Sequence, residues 1–222
     1  SLKPDATTIY IKPPAHESIE DVIRYADVSF NTEFSTLQQL SKEAQNQNKT
    51  HGVIIMIELG DLREGIMGEH LMDFYEQIFK LPNIDVQGLG TNLNCLHGVM
   101  PSADKLIQLS LYAQMIEIKF GKRLRYISGG TSVVIPLINE KQLPKGINHF
   151  RIGETLYYGI DLFEEKTIEG MHDDVFELRS QIIEITKKPM VPVGDLAANP
   201  SGDVFEVEEE MRGKESYRAL ID

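Results

Sequence analysis

Two short runs of small and polar residues have the makings of an anion site. Ser128-Gly129-Gly130-Thr131-Ser132 follows the strand-like Arg125-Tyr126-Ile127, and Arg151-Ile152-Gly153-Glu154 follows the strand-like Asn148-His149-Phe150. The first run offers consecutive backbone N–H groups, hydroxyls, and a following apolar segment whose N-terminus adds its dipole. Anions, phosphate above all, bind well to such a constellation. Gly129 and Gly130 allow close approach of the backbone and positive φ. Such a turn also serves as a plain loop with a glycine helix stop, and the matching second turn tips the balance toward phosphate. Arg151 ends its strand, where an inward guanidinium would offer a ligand a permanently charged fork of donors; a salt bridge to one of the many carboxylates weighs equally.

Other groups lie at comparable positions. Glu58-Leu59-Gly60-Asp61-Leu62-Arg63-Glu64-Gly65 packs four charges and two of its glycines directly after the apolar Val53–Ile57. Either it faces an active site or it is a solvated loop with internal Arg–carboxylate pairing. Thr91-Asn92-Leu93-Asn94 follows the next strand, so its amides face the same mouth or simply cap turns. Cys95 and His97 are close by, yet a lone Cys-x-His is weak as a metal site, and none is expected. No Gly-x-Ser-x-Gly elbow, P-loop lysine pattern or His-Glu-x-x-His occurs.

These groups need a scaffold that brings strand ends together. Six strand candidates, Thr7–Lys12, Asp27–Phe30, Val53–Glu58, Val86–Thr91, Arg125–Ser128 and Asn148–Ile152, alternate with segments of helical period. The helical stripes are Ile19/Val22/Ile23/Ala26, Leu37/Leu40/Ala44, Leu71/Phe74/Ile78 and Leu106/Leu109/Ala113/Ile116/Phe120. Ser102 is the expected N-cap of the longest helix, and Ser18-Ile19-Glu20-Asp21 a weaker capping box. The expected fold is α/β. In a (β/α)8 TIM barrel the phosphate loops follow the seventh and eighth strands, so the six strands are three to eight of an incomplete barrel, with two more expected upstream of Ser1. After Gly159 the texture changes: Val175–Ile185 is apolar with interspersed charges, then Pro and Gly recur every few residues, short strands are expected between those turns, and Tyr217–Asp222 reads as a strand. The expected division is residues 1–165, a partial barrel, and residues 166–222, the start of a C-terminal β domain.

Composition excludes several classes. The 222 residues are 41% hydrophobic and 25% charged, ordinary for a globular protein, and Lys+Arg 22 against Asp+Glu 34 gives −12, unfavourable for nucleic acid or an anionic membrane. No apolar run approaches the roughly 18 residues of a membrane helix. The single cysteine, Cys95, precludes an internal disulfide and fits a reducing compartment, so a cytoplasmic location is expected.

Taken in order, Tyr25-Ala26-Asp27-Val28-Ser29, the Glu58–Gly65 block, Gly88-Leu89-Gly90-Thr91-Asn92, Ser128-Gly129-Gly130-Thr131-Ser132 and Arg151-Ile152-Gly153-Glu154 resemble the alanine racemase-like family of fold type III pyridoxal-phosphate enzymes. Within it the likeness is to amino-acid racemases of the ornithine racemase type, and it runs from about Thr8 to Asp222. The resemblance implies pyridoxal 5′-phosphate as cofactor, an isomerase that interconverts L- and D-amino acids by exchange of the Cα proton, a basic substrate such as ornithine, and a homodimer whose sites take groups from both subunits. By the same resemblance Ser132 and the N–H groups of Gly153 and Glu154 are phosphate ligands with Thr131 beside them, Ser128, Gly129 and Gly130 complete that loop, and Arg151 faces the pyridine nitrogen. Asn92, also expected at the cofactor, falls where alanine racemases proper carry a histidine near the ring, and Met56 where many carry a carbamylated lysine; both departures point away from alanine. The family's Schiff-base lysine belongs to the first barrel strand. Lys12 ends the third by this count, so no catalytic residue is expected in this chain. A non-catalytic pyridoxal-phosphate homeostasis protein of the same barrel is the alternative, disfavoured by the β-like tail.

Overall fold

Six parallel strands, the central ones rich in Val, Ile and Gly, form in the computed structural model, which describes residues 6–164 and 166–222. They are β1 (Ile9–Tyr10), β2 (Val28–Asn31), β3 (His51–Met56), β4 (Ile84–Gly90), β5 (Tyr126–Thr131) and β6 (His149–Arg151). Their order in the sheet is their order in sequence. Helices α1 (Ile19–Tyr25), α2 (Phe34–Asn46), α3 (Leu71–Ile78), α4 (Ala103–Phe120), α5 (Ile135–Asn139) and α6 (Glu154–Tyr158) follow successive strands. This is the βα succession of a barrel wall.

The sheet is rolled, not flat. Strands β2 and β6 are four places apart, about 19 Å in a flat sheet. Yet the Arg151 guanidinium lies 5.0 Å from the centre of the Phe30 ring, and the rings of Phe30 and His149 are 6.2 Å apart. Only curvature brings these side chains together. Alternation along β3 supplies both sides of the wall: Val53, Ile55 and Ile57 pack outward with the helices, while Ile54 and Met56 join Val28 and Phe30 inside. The outer core takes Leu37, Leu40 and Ala44 from α2 and Leu109, Ala113 and Ile116 from α4, the stripes read from spacing. Burial of each large aliphatic side chain there is worth about 1.5–3 kcal/mol.

The helix starts differ from expectation. Ser18 and Ser102 occupy N-cap positions, but neither side chain bonds a backbone N–H. Ser18 itself closes a 3-10 turn over His16–Ser18, which leaves it in helical geometry, unsuited to capping. The Ser102 hydroxyl serves the Asp104 carboxylate instead, and lowers its pKa. Helix α4 ends as the chain dictates, at Gly121 with φ 65°.

Contacts divide the chain into two compact units, Ser1–Val175 and Phe176–Asp222. The stretch after α6 returns to the first unit, with Ile168 N bonded to Gly159 O and Thr167 bridged to Ile160. In the second unit β7 (Ile182–Pro189) and β8 (Glu215–Ile221) pair antiparallel, tied also by Lys187 Nζ to Glu215 Oε2 at 2.7 Å. The expectation of short strands among the Pro and Gly breaks is corrected: between β7 and β8 the described residues hold turns and one 3-10 turn, Glu209–Met211. Among the described residues no helix is long and apolar enough to cross a membrane.

Candidate functional site

A parallel barrel gathers its loops at the C-terminal strand ends, and there the first unit has a cavity of about 570 Å3. Every strand end of the wall except that of β2 contributes: Ile11, Lys12 and Pro13 follow β1, Arg63 and Glu64 follow β3, Asn92 follows β4, and Thr131 and Arg151 close β5 and β6. Lys12, Arg63 and Arg151 set three cations against the single carboxylate of Glu64. Such a mouth attracts anions.

Arg151 organises the inner end. Its Nη1 donates to Ser128 Oγ at 2.7 Å, and its Nη2 donates to the Thr91 carbonyl at 3.0 Å and to Asn92 Oδ1 at 3.3 Å. Burial draws its pKa down to about 10, with Glu64 opposing that shift and Arg63 adding to it. The guanidinium therefore stays charged at neutral pH. Ser128 Oγ also lies 2.9 Å from His149 Nδ1. Burial, and then the neighbouring Arg151, lower the His149 pKa, so a neutral ring can accept the Ser128 hydroxyl proton while that oxygen accepts from Arg151. Ser128 is fully buried within β5 and is committed to these two partners.

The two small-residue loops lie against each other. Gly153 N donates to Ser132 Oγ at 3.3 Å, joining the end of β5 to the start of α6. Glu154 opens α6, and Thr131 lies on the cavity wall. Gly130 has φ 133°, a region closed to most side chains, while a Cβ on Gly129 would stand 2.6 Å from Ile147 Cγ2. These two glycines shape the turn. A Cβ on Gly153 would meet nothing within 4 Å, so space stands over that residue. Thr155, in the first turn of α6, has a buried Oγ1 with no hydrogen-bond partner among the described residues.

The Glu58–Gly65 block has the internal Arg–carboxylate pairing, and that pair also lines the cavity. Arg63 Nε pairs with Glu64 Oε2 at 3.2 Å, and Glu64 Oε1 accepts from Asn92 Nδ2 at 3.3 Å, on the cavity wall. Asp61 does something that composition hides. Fully buried, its carboxylate accepts the backbone N–H groups of Cys95, Leu96, His97 and Val99 at 2.8–3.2 Å. Burial pushes its pKa up, but the four amides prevail and hold it below the ordinary carboxylate value. Asp61 thus clamps the loop after β4 to the loop after β3. Cys95 and His97 belong to that loop: Arg63 Nη1 lies 2.7 Å from Cys95 Sγ, and His97 Nδ1 lies 2.8 Å from the Asp61 carbonyl. Among the described residues no group of His, Cys, Asp and Glu could hold a metal.

Three participants were not singled out from sequence. His149 could have been found, since it precedes Arg151 by two residues and shares its face of the strand. Phe30, under the guanidinium, and Asp61, more than thirty residues from its partners, become visible only when distant strands are placed side by side.

A parallel barrel wall with an arginine-centred anion mouth defines the class. Residues 2–161 match the family described as "Alanine racemase, N-terminal domain", and the chain belongs to that family. The six-stranded wall, the two small-residue loops and the buried arginine all fall within the matched span. Among curated proteins, ornithine racemase of Acetoanaerobium sticklandii is 42% identical over 186 residues, 83% of this chain and 53% of that protein. Lysine racemase of Thermotoga maritima is 31% identical over 184 residues, 82% of this chain and 50% of that protein. The chain spans about half the length of these curated relatives. Among solved structures, PipY of Synechococcus elongatus with pyridoxal phosphate bound matches with a TM-score of 0.56 at 16% identity, over 68% of this chain and 69% of that one. At that identity the likeness is one of fold.

Proposed function

We propose that the protein is a pyridoxal-phosphate-dependent amino-acid racemase for a basic amino acid such as ornithine or lysine, and that this chain supplies the cofactor cradle. The observation that carries the reading is the meeting of two strand-end loops, Ser132 Oγ against Gly153 N, beside a buried arginine in the mouth of a parallel barrel. The names of the curated relatives support the reaction and the substrate class.

The donor set suits a phosphate ester joined to a pyridine ring. Open space over Gly153 leaves room for a phosphate oxygen, the unpaired Thr155 hydroxyl lies in the adjoining turn, and the three cations of the mouth favour a dianion. Ser132 and the amides of Gly153 and Glu154 hold the phosphate, Thr131 stands beside it, and Gly129 and Gly130 shape the loop. Ser128 and Asn92 hold Arg151, which would be the group to meet the ring nitrogen. Bound there, pyridoxal phosphate supplies an electron sink that lowers the pKa of a substrate Cα–H. Arg151 keeps its own proton and would oppose protonation of the ring nitrogen, which would restrain the sink and favour return of the proton to Cα over transamination. The strand-paired second unit supports an enzyme over a cofactor carrier made of a barrel alone. A homodimer and a cytoplasmic location, the latter in keeping with the single cysteine, complete the reading.

Cofactor binding is the direct test. Pyridoxal phosphate titrated into the protein should bind with a stoichiometry close to one, read by fluorescence, and failure to bind it would overturn the reading. Chiral chromatography of L-ornithine, L-lysine and L-alanine incubated with the intact protein tests the reaction, with conversion of the basic pair expected over alanine.

A further inference from the structure

The mouth contains one group that cofactor binding leaves unused. Among the residues that line the cavity Glu64 is the sole carboxylate. Each of its oxygens has one long contact, Oε1 with Asn92 Nδ2 at 3.3 Å and Oε2 with Arg63 Nε at 3.2 Å. A carboxylate has about four lone-pair sites, so capacity for further donors remains. The side chain is 21% exposed, shielded enough to strengthen a charge contact yet open to the cavity, whereas its partner Arg63 is 48% exposed and the pair is correspondingly weak.

We propose that Glu64 is a specificity-determining residue that accepts the terminal ammonium of a basic amino-acid substrate. The proposal rests on the racemase reading and deepens it by naming the group that separates ornithine or lysine from an uncharged amino acid. A cofactor phosphate and a substrate α-carboxylate are both drawn to Lys12, Arg63 and Arg151. The terminal ammonium is repelled by those same three cations, and on the cavity wall only Glu64 carries the opposite charge. An ammonium brings three donors on a compact centre, which matches the open lone pairs of a carboxylate already anchored at one side by Asn92.

The test uses the full chain loaded with pyridoxal phosphate, titrated calorimetrically with L-ornithine and with L-norvaline, which has the same carbon chain without the ammonium. The native chain should prefer ornithine by about tenfold or more, the worth of one charge-assisted bond. Glu64→Gln keeps the shape and removes the charge, and should bring the ratio of the two affinities to within about twofold. Glu64→Asp should give an intermediate ratio, and stands in if the glutamine variant fails to fold. A purely structural glutamate would weaken both ligands alike and leave the ratio intact; that result, or equal affinities in the native chain, overturns the proposal. Retained cofactor with no ornithine preference overturns the role of Glu64 and leaves the racemase reading standing. A chain that retains no cofactor overturns both.

Discussion

Acidification should destabilise the barrel through His51. This residue opens β3, is 2% exposed, and has Nε2 2.8 Å from Ser29 Oγ. Burial draws its pKa from 6.5 to about 4; the Ala26 carbonyl and the Asp27 carboxylate resist that shift, and Lys49 adds to it. A histidine depressed in this way is protonated first in the unfolded chain. Its contribution to stability is whole above 6.5, declines as the pH falls from there toward about 4, and is gone below. Passing from about pH 7.5 to about pH 4.5 crosses most of that window and should remove about 2–3 kcal/mol. Urea unfolding at the two pH values, for the native chain and for His51→Gln, reads the effect. Glutamine keeps a polar group for Ser29 but does not titrate, so the difference of differences isolates the histidine. Carboxylates such as Asp27, held low by its bonds from Thr8, lose their contribution at more acid pH. Equal losses in the two proteins would refute the reasoning.

Ser132→Ala removes the hydroxyl that joins the two phosphate loops, and should weaken pyridoxal phosphate binding about tenfold or more in a fluorescence titration; unchanged affinity in a folded variant would dismiss the cradle. Arg151→Lys gives up the fork that reaches Ser128, Thr91 and Asn92 together, and should cost about 2 kcal/mol in urea unfolding; a variant as stable as the native chain would show that the guanidinium does not knit the mouth. Asp61→Asn replaces one acceptor oxygen by a donor against the amides of the loop after β4, and hydrogen-exchange protection at Leu96, His97 and Val99 should fall about tenfold or more. Unaltered protection would discard the clamp.

Much of the wall was legible because its signals are local. Most of the six strands are β-branched or glycine-containing runs between segments of helical period, and most residues of each helical stripe reappear in the outer core. The turns at Ser128–Ser132 and Arg151–Glu154 were legible for the same reason, since small residues after a strand need no distant partner to declare themselves. What was hidden depends on long separations. The Asp61 clamp spans 34 to 38 residues, and the bond from Arg151 to Thr91 spans 60. Nor can spacing show that the Ser128 hydroxyl bonds both Arg151 and His149 across the β5–β6 pair. The caps at Ser18 and Ser102 were misread because a serine at the right offset does not fix its own rotamer. Between β7 and β8 the breakers leave runs too short to recruit a partner strand.

The reach of Arg151 from β6 to Phe30 on β2 couples the roll of the sheet to the charge in its mouth. Flattening the wall would draw the guanidinium off the ring and away from Thr91 and Asn92, so curvature has an electrostatic spring at its open end. An anion that grips Lys12 beyond one edge strand and Arg151 on the other loads that spring in the closing direction. Such a ligand acts as a hoop around staves, and its affinity includes the work of holding them bent.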